Sequence, residues 1–282
     1  MRIKRMDKKQ SVAFLVAAAA IASVSVLALR TDLQVVRYEV ESPKLTSGLR
    51  LALLTDLHSC AYGAEQRKLL DLLHEQNPDA VLFGGDIIDD KLPKSRAVMV
   101  LQAVAARYPC FYVTGNHEFY GGEAEKIKKM VAACGVQVLE GDVEPLEVRG
   151  QHINIAGVDD PKGSEALFSR QLVQCAEQRK PEIFTVLLAH RPEPIRRYLA
   201  HGFDLVLSGH THGGQWRIPG VLNGLLAPHQ GFFPSYAGGL YPFAEGTMVV
   251  SRGLARESTI VPRVFNRPEL VIVDLLPEYG SP

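Results

Sequence analysis

Five short apolar runs each pass without a break into a cluster of metal-ligating residue types, and this pattern restricts the fold more than any other feature of the chain. The runs are LALLTDLH (51–58), AVLFGGDIID (80–89), CFYVTGNHE (110–118), FTVLLAH (184–190) and LVLSGHTH (205–212). Four or five apolar residues bounded by turn signals suit a strand buried on both faces. Helical patterns separate the runs. Residues 64–76 carry Leu69, Leu70, Leu72 and Leu73 on one broad face and stop at Pro78. Residues 95–107 present Val98, Leu101 and Val104, a helix from Glu123 closes at Gly135, and 164–179 and 193–201 complete the set, the last closed by Gly202. Further strands are expected at 35–40, 136–139, 145–149, 152–157, 246–251 and 269–275. Strands alternating with helices predict an α/β protein, and open α/β sheets build their sites at the carboxyl ends of strands.

Those ends deliver Asp56, His58, Asp86, Asn116, His117, His190, His210 and His212. One Asp at a strand end is ordinarily a turn or cap, and one His a surface residue. The whole set, beside small glycines, is hard to obtain by chance. Imidazole and carboxylate suit Mn, Fe or Zn, and the absence of thiolates at these positions argues against a structural zinc site. Asp86 is the expected bridge between two ions, because Gly84 and Gly85 let the backbone turn there. His210 and His212 can reach different ions. Two divalent ions outweigh the charges of Asp56 and Asp86, so the site attracts a phosphate anion and acidifies water. No GxSxG motif supports a serine hydrolase, and Ser208 has no oxyanion partner in view.

The four cysteines (Cys60, Cys110, Cys134 and Cys175) are dispersed without a CxxC pair, which excludes a cysteine-rich zinc module. Cys110 and Cys134 lie in apolar runs and are expected as buried thiols; disulfide pairing stays open. Arg2, Lys4, Arg5, Lys8 and Lys9 against Asp7 leave the first ten residues at +4 and the remainder at −4, since the whole chain has formal charge +0. A mildly acidic body without a basic stripe argues against nucleic acid as a partner. Behind the basic decapeptide, 11–29 (SVAFLVAAAAIASVSVLAL) has neither charge nor proline. This is long enough to span a bilayer. A retained anchor is favoured over a signal cleaved near Ala28. The positive-inside rule then leaves the N-terminus in the cytoplasm and the catalytic domain outside; the alternative is export after cleavage. The expected organisation is a membrane segment over 1–30, a connector over 31–48 and a catalytic domain over 49–277.

Asp56-Leu57-His58, Gly84-Gly85-Asp86, Gly115-Asn116-His117-Glu118, His190 and Gly209-His210-Thr211-His212 resemble the five ordered motifs of the calcineurin-like metallophosphoesterase superfamily. The resemblance covers about residues 49–275. It implies a two-sheet β-sandwich flanked by helices. It also implies two divalent metal ions, one held by Asp56, His58, Asp86 and His212 and the other by Asp86, Asn116, His190 and His210. His117 would contact the scissile phosphate or protonate the leaving group. His212-Gly213-Gly214-Gln215, Arg217-Ile218-Pro219 and Ser251-Arg252-Gly253-Leu254 are similar to a bacterial branch with an N-terminal membrane segment. That branch includes enzymes similar to UDP-diacylglucosamine pyrophosphatase, of lipid A biosynthesis. Ala255 stands where that branch leads us to expect Gly.

The expected activity is hydrolysis of a phosphodiester or pyrophosphate bond, with a lipid- or envelope-linked phosphate ester as a candidate substrate. The competing class is a membrane-tethered binding module that keeps the fold without catalysis; the complete ligand set argues against it. Arg252 is a candidate phosphate contact or, equally, half of a structural ion pair. Glu118 is expected to orient His117 or cap a helix, and Asp89 and Asp90 to be solvated turn residues. Trp216, Phe232, Phe233, Tyr236 and Tyr241 are expected to pack an irregular loop, with an apolar wall or bilayer contact as the alternative.

Overall fold

The computed structural model describes residues 8–256 and 261–278. Of the residues discussed above, Arg2, Lys4, Arg5 and Asp7 lie outside them. The chain opens with α1 (Lys8–Ala28), β1 (Gln34–Ser42), β2 (Leu49–Leu54), α2 (Arg67–Gln76), β3 (Ala80–Gly84), α3 (Lys94–Ala105) and β4 (Cys110–Val113). Next come α4 (His117–Tyr120), α5 (Ala124–Ala133), β5 (Gln137–Val138), β6 (Val143–Val148), β7 (Gln151–Gly157) and α6 (Glu165–Gln178). The rest is β8 (Thr185–Leu188), α7 (Ile195–Ala200), β9 (Leu205–Ser208), β10 (Leu226–Ala227), β11 (Gly231–Phe232), β12 (Gly239–Pro242), β13 (Thr247–Val250) and β14 (Glu269–Pro277).

Two six-stranded sheets run in the orders β1-β14-β2-β3-β4-β5 and β12-β13-β9-β8-β7-β6. Period-two alternation sorts their apolar residues into layers. Leu51, Leu53, Leu82 and Val113 of the first sheet meet Ile153, Val186, Leu188 and Leu207 of the second in one fully enclosed core. The intervening residues Ala52, Leu54, Val81 and Phe83 turn outward onto Leu69, Leu73, Val100, Leu101 and Val104 of α2 and α3. On the far side Leu187, Val206 and Met248 pack on Phe168 and Leu172 of α6 and Tyr198 of α7. The result is the expected sandwich flanked by helices. Strands buried on both faces explain why their sequences read as unbroken apolar runs.

Two expectations need correction. The core face of α3 is Ala97, Val100, Leu101 and Val104, with Val98 only partly buried. The short strand expected at 35–40 within the connector over 31–48 is longer, β1 pairing in parallel with β14 from Gln34↔Glu269 to Ser42↔Pro277. It is an integral edge strand. At the ends of helices the left-handed glycines fall where expected, with Gly135 (φ 87°) after α5 and Gly202 (φ 76°) after α7. α1 is long and apolar enough to cross a membrane. Within it the described large apolar side chains are exposed, and Ala28 at its end is buried.

Candidate metal centre

β2, β3 and β4 run parallel in one sheet, and β8, β9 and β13 run parallel in the other. Their carboxyl ends therefore deliver their loops to one end of the sandwich. The loops turn sharply there. Asp56 (φ 50°), His58 (φ 45°), Asp86 (φ 52°), His210 (φ 70°) and His212 (φ 48°) all occupy the left-handed region, which non-glycine residues rarely adopt. Such strain persists only where surrounding structure holds it, and it gathers at functional sites. Gly85 (φ +87°) makes a close approach: a Cβ there would lie 2.6 Å from His190 Nδ1 and 2.7 Å from Gly115 N. Only glycine lets these three strand ends close together.

The side chains form two groups. Asp56, His58 and His212 bring ligand atoms within 4.8 Å of one another, as do Asp86, His190 and His210. Each group draws on both sheets. Asp86 stands between them, with Oδ2 3.2 Å from His190 Nε2 and 3.6 Å from His58 Nε2. His212 Nε2 lies 3.9 Å from Asp56 Oδ1, and His210 Nδ1 lies 3.2 Å from His190 Nε2. All seven predicted ligands are buried, Asn116 among them. Among the described atoms, His58 Nε2, Asn116 Oδ1 and His212 Nδ1 are buried without a hydrogen-bond partner. An unsatisfied buried lone pair costs roughly 1–3 kcal/mol. Lone pairs and carboxylates aimed into one space fit two divalent cations, oxygen- and nitrogen-ligated.

Several residues that hold this arrangement were not legible from the sequence. Asp89 is buried and not a solvated turn residue: its Oδ2 lies 3.2 Å from His58 Nδ1, while its Oδ1 accepts from Lys91 N and Leu92 N at 2.7 Å. Asp90 Oδ1 pairs with His117 Nδ1 at 2.9 Å. Glu118 is fully buried and accepts from the backbone N–H groups of Asp86, Ile87, Ile88 and Gly115 at 2.7–3.0 Å. It braces the Asp86 loop, and its bond to Gly115 N at the start of α4 is the helix-capping role. His190 Nδ1 donates to Gly84 O at 2.8 Å, which turns Nε2 toward Asp86. His229, from the β10–β11 turn, places Nδ1 2.8 Å from His210 Nε2. The only sequence signal for Asp89, Asp90 and Glu118 was their position at the ends of the strand-end motifs, and His229 had none.

Arg252 is held by Glu269: its Nε donates to Oε2 at 2.5 Å and its backbone N to Oε1 at 2.8 Å. The ion-pair reading thus has a geometry. Tyr236 and Tyr241 pack edge to face at 5.3 Å, whereas Trp216, Phe232 and Phe233 are exposed. Ala255 is buried, and Leu254 N before it donates to Thr55 O at 3.0 Å, so the departure from Gly lies in packing behind the Asp56 loop. None of the four cysteines is joined in a disulfide among the described residues, with Cys60, Cys110 and Cys175 buried and Cys134 partly so.

The electrostatics divide the four imidazoles, neutral at His210 and His212 and raised at His58 and His190. Burial drives His212 down to about 3, and burial with the neighbouring His190 drives His210 well below its ordinary range. Both are therefore neutral, the form that offers a lone pair. Burial opposes charge on Asp86, but His190 and His58 outweigh it and hold its carboxyl well below the usual range. At His190 burial also opposes charge, and Asp86 reverses the outcome to a strongly raised value. Burial and the charge of Asp86 raise Glu118 to about 7.

A family model described as calcineurin-like phosphoesterase matches residues 49–214. The chain belongs to that family. An uncharacterized metallophosphoesterase of Campylobacter jejuni is 34% identical over 212 residues, covering 74% of this chain and 53% of that protein. The chain thus spans about half the length of that relative. The phosphodiesterase YaeI of Escherichia coli is 29% identical over 214 residues, covering 72% of each. A Bos taurus transmembrane protein with metallophosphoesterase domain is 34% identical over 197 residues, covering 65% of this chain and 43% of its own. Among solved structures, TT1561 of Thermus thermophilus superposes with TM-score 0.51 at 13% identity over 75% of this chain and 92% of its own. That likeness shows the shared fold.

Proposed function

We propose that the chain is a metal-dependent phosphohydrolase acting on a phosphodiester, with Asp56, His58, Asp86 and His212 holding one ion and Asp86, Asn116, His190 and His210 the other. The observation that carries this reading is the pair of buried ligand groups sharing Asp86. A bound pair of divalent ions acidifies water and neutralises charge on the phosphoryl oxygens. The chain's own contribution is positioning. Asp89 and the Gly84 carbonyl set the rings of His58 and His190, and Glu118 holds the loop that carries Asp86. His117 sits at the rim, its ring 4.4 Å from that of His58. With Nδ1 engaged by Asp90, its Nε2 is the atom that donates a proton to the leaving oxygen.

The Escherichia coli relative YaeI is named a phosphodiesterase, which supports the phosphodiester class. The UDP-linked lipid precursor has no such support and is not proposed as the substrate. Membrane anchoring through α1 is supported by its length, its exposed apolar faces and the transmembrane naming of the Bos taurus relative. We propose that the catalytic domain lies outside, on the excess of Lys and Arg over Asp in the first ten residues, which protease protection in intact cells tests. For the activity, purified full-length protein is stripped with chelator and reloaded with Mn, Fe or Zn. Metal content near two ions per chain, with turnover of an aryl phosphodiester restored on reloading, supports the assignment. A chain that binds no metal overturns it.

A further inference from the structure

Six of the ten exposed large apolar side chains described beyond residue 30 fall within residues 216–233: Trp216 (45% exposed), Ile218 (53%), Val221 (83%), Leu226 (45%), Phe232 (70%) and Phe233 (68%). Soluble surfaces seldom gather so many large apolar groups in one loop without a partner. The segment is ordered. Ile218 N donates to Leu222 O at 3.0 Å, Leu225 N to Trp216 O at 2.9 Å and Phe233 N to Leu225 O at 2.8 Å. β10 and β11 then pair Leu226 with Phe232.

Both ends of this ladder lead somewhere. At one end Trp216 bridges to Val264, its Nε1 donates to Pro262 O at 3.0 Å, and the adjoining Phe265 N donates to Ala28 O at 2.7 Å. Ala28 is the last residue of α1. At the other end the β10–β11 turn carries His229, which touches His210 in the metal centre. A continuous strip of backbone therefore joins the end of the apolar helix to the mouth of the site, with exposed Trp and Phe along it. Trp and Phe on such a face are the residues that settle at a lipid–water boundary.

We propose that the loop face from Trp216 to Phe233 docks on the surface of the bilayer that carries α1, and that the metal centre thereby works on phosphodiesters of amphiphiles resident in that leaflet. This rests on the membrane reading of α1. A bilayer is favoured over a protein partner because Ala28 and Trp216 are tied to one short segment, 262–265, so a span through α1 brings the leaflet to this loop.

Trp216 is the single tryptophan of the chain, which makes it an intrinsic probe. The full-length chain is reconstituted in phosphatidylcholine vesicles with or without bromine on the acyl chains. Docking predicts emission strongly quenched by the brominated lipid, and quenching reduced severalfold in the Phe232→Ser/Phe233→Ser variant. The variant's melting midpoint, matched to the parent, shows that it folds. Flotation after an alkaline carbonate wash reads α1 separately. Protein that fails to float overturns the anchor and the proposal with it. Protein that floats with unquenched Trp216 overturns docking alone, and points to a protein as the occupant of this face.

Discussion

His58 Nδ1 lies 3.2 Å from the buried carboxylate of Asp89, and this contact points His58 Nε2 toward Asp86, 3.6 Å away. A neighbour of this kind fixes both ring and tautomer. Replacing Asp89 by Ala is expected to weaken metal binding by about 10–100-fold. Titration calorimetry with Mn or Zn on stripped protein measures this; unchanged affinity removes Asp89 from the supporting role.

The division of labour between ligation and proton transfer separates by metal content. Asp86→Ala and His210→Ala are expected to lose turnover together with bound metal. His117→Ala is expected to keep its metal while kcat falls by about 10²–10⁴-fold, the usual loss for a general acid. Full turnover in Asp86→Ala sinks the two-ion assignment.

Glu118 collects four backbone N–H groups in a fully buried position. Glu118→Ala strands those donors and is expected to cost at least about 3 kcal/mol, given roughly 1–3 kcal/mol for each unsatisfied buried group. Urea unfolding of the metal-free protein reads the loss without interference from ligation. Glu118→Gln keeps an acceptor oxygen and is expected to lose less.

Arg252 and Glu269 make a testable pair. Removing one partner of a buried ion pair typically costs about 3 kcal/mol or more. Arg252→Gln is thus expected to lower the melting midpoint, because it leaves the fully buried Glu269 uncompensated. A raised KM at an unchanged midpoint restores the phosphate-contact role instead.

Burial pushes the Cys110 and Cys175 thiols up to about 12 from an ordinary 9.0. A raised folded-state value means the unfolded thiol ionises first. The associated stability is present below about pH 9 and lost as pH climbs toward 12. Three units also cut the thiolate fraction about 10³-fold, so both thiols are expected to resist iodoacetamide at pH 8 until urea unfolds the chain. Rapid native labelling at either position contradicts this.

The strand ends were legible because strands buried on both faces read as apolar runs, and each run stops where its ligand begins. Leu54 to Asp56 and Leu188 to His190 are the plainest cases. The two-sheet sandwich came from resemblance, since alternation alone does not say that two sheets stack. The supporting residues stayed hidden for a physical reason. Asp89, Glu118 and His229 reach the ligand residues through contacts 19 to 32 positions away, and no local pattern encodes such pairings. In the sequence Asp89 and Asp90 look like a hydrated turn; the fold buries the first against His58 and sets the second against His117. Val98 likewise fits a helical period, yet Val100 takes the core because α3 is rotated to meet α2.

β1 pairs with β14 across nine residues, although nearly the whole chain separates them. A soluble version trimmed to residue 49, the first residue matched by the family model, would discard this strand. It would leave β14 with an open row of backbone donors and acceptors beside apolar residues, a template for pairing with other chains. Expression of the domain without α1 should therefore begin before Gln34. Aggregation of a shorter product would report a missing edge strand, not an unstable catalytic core.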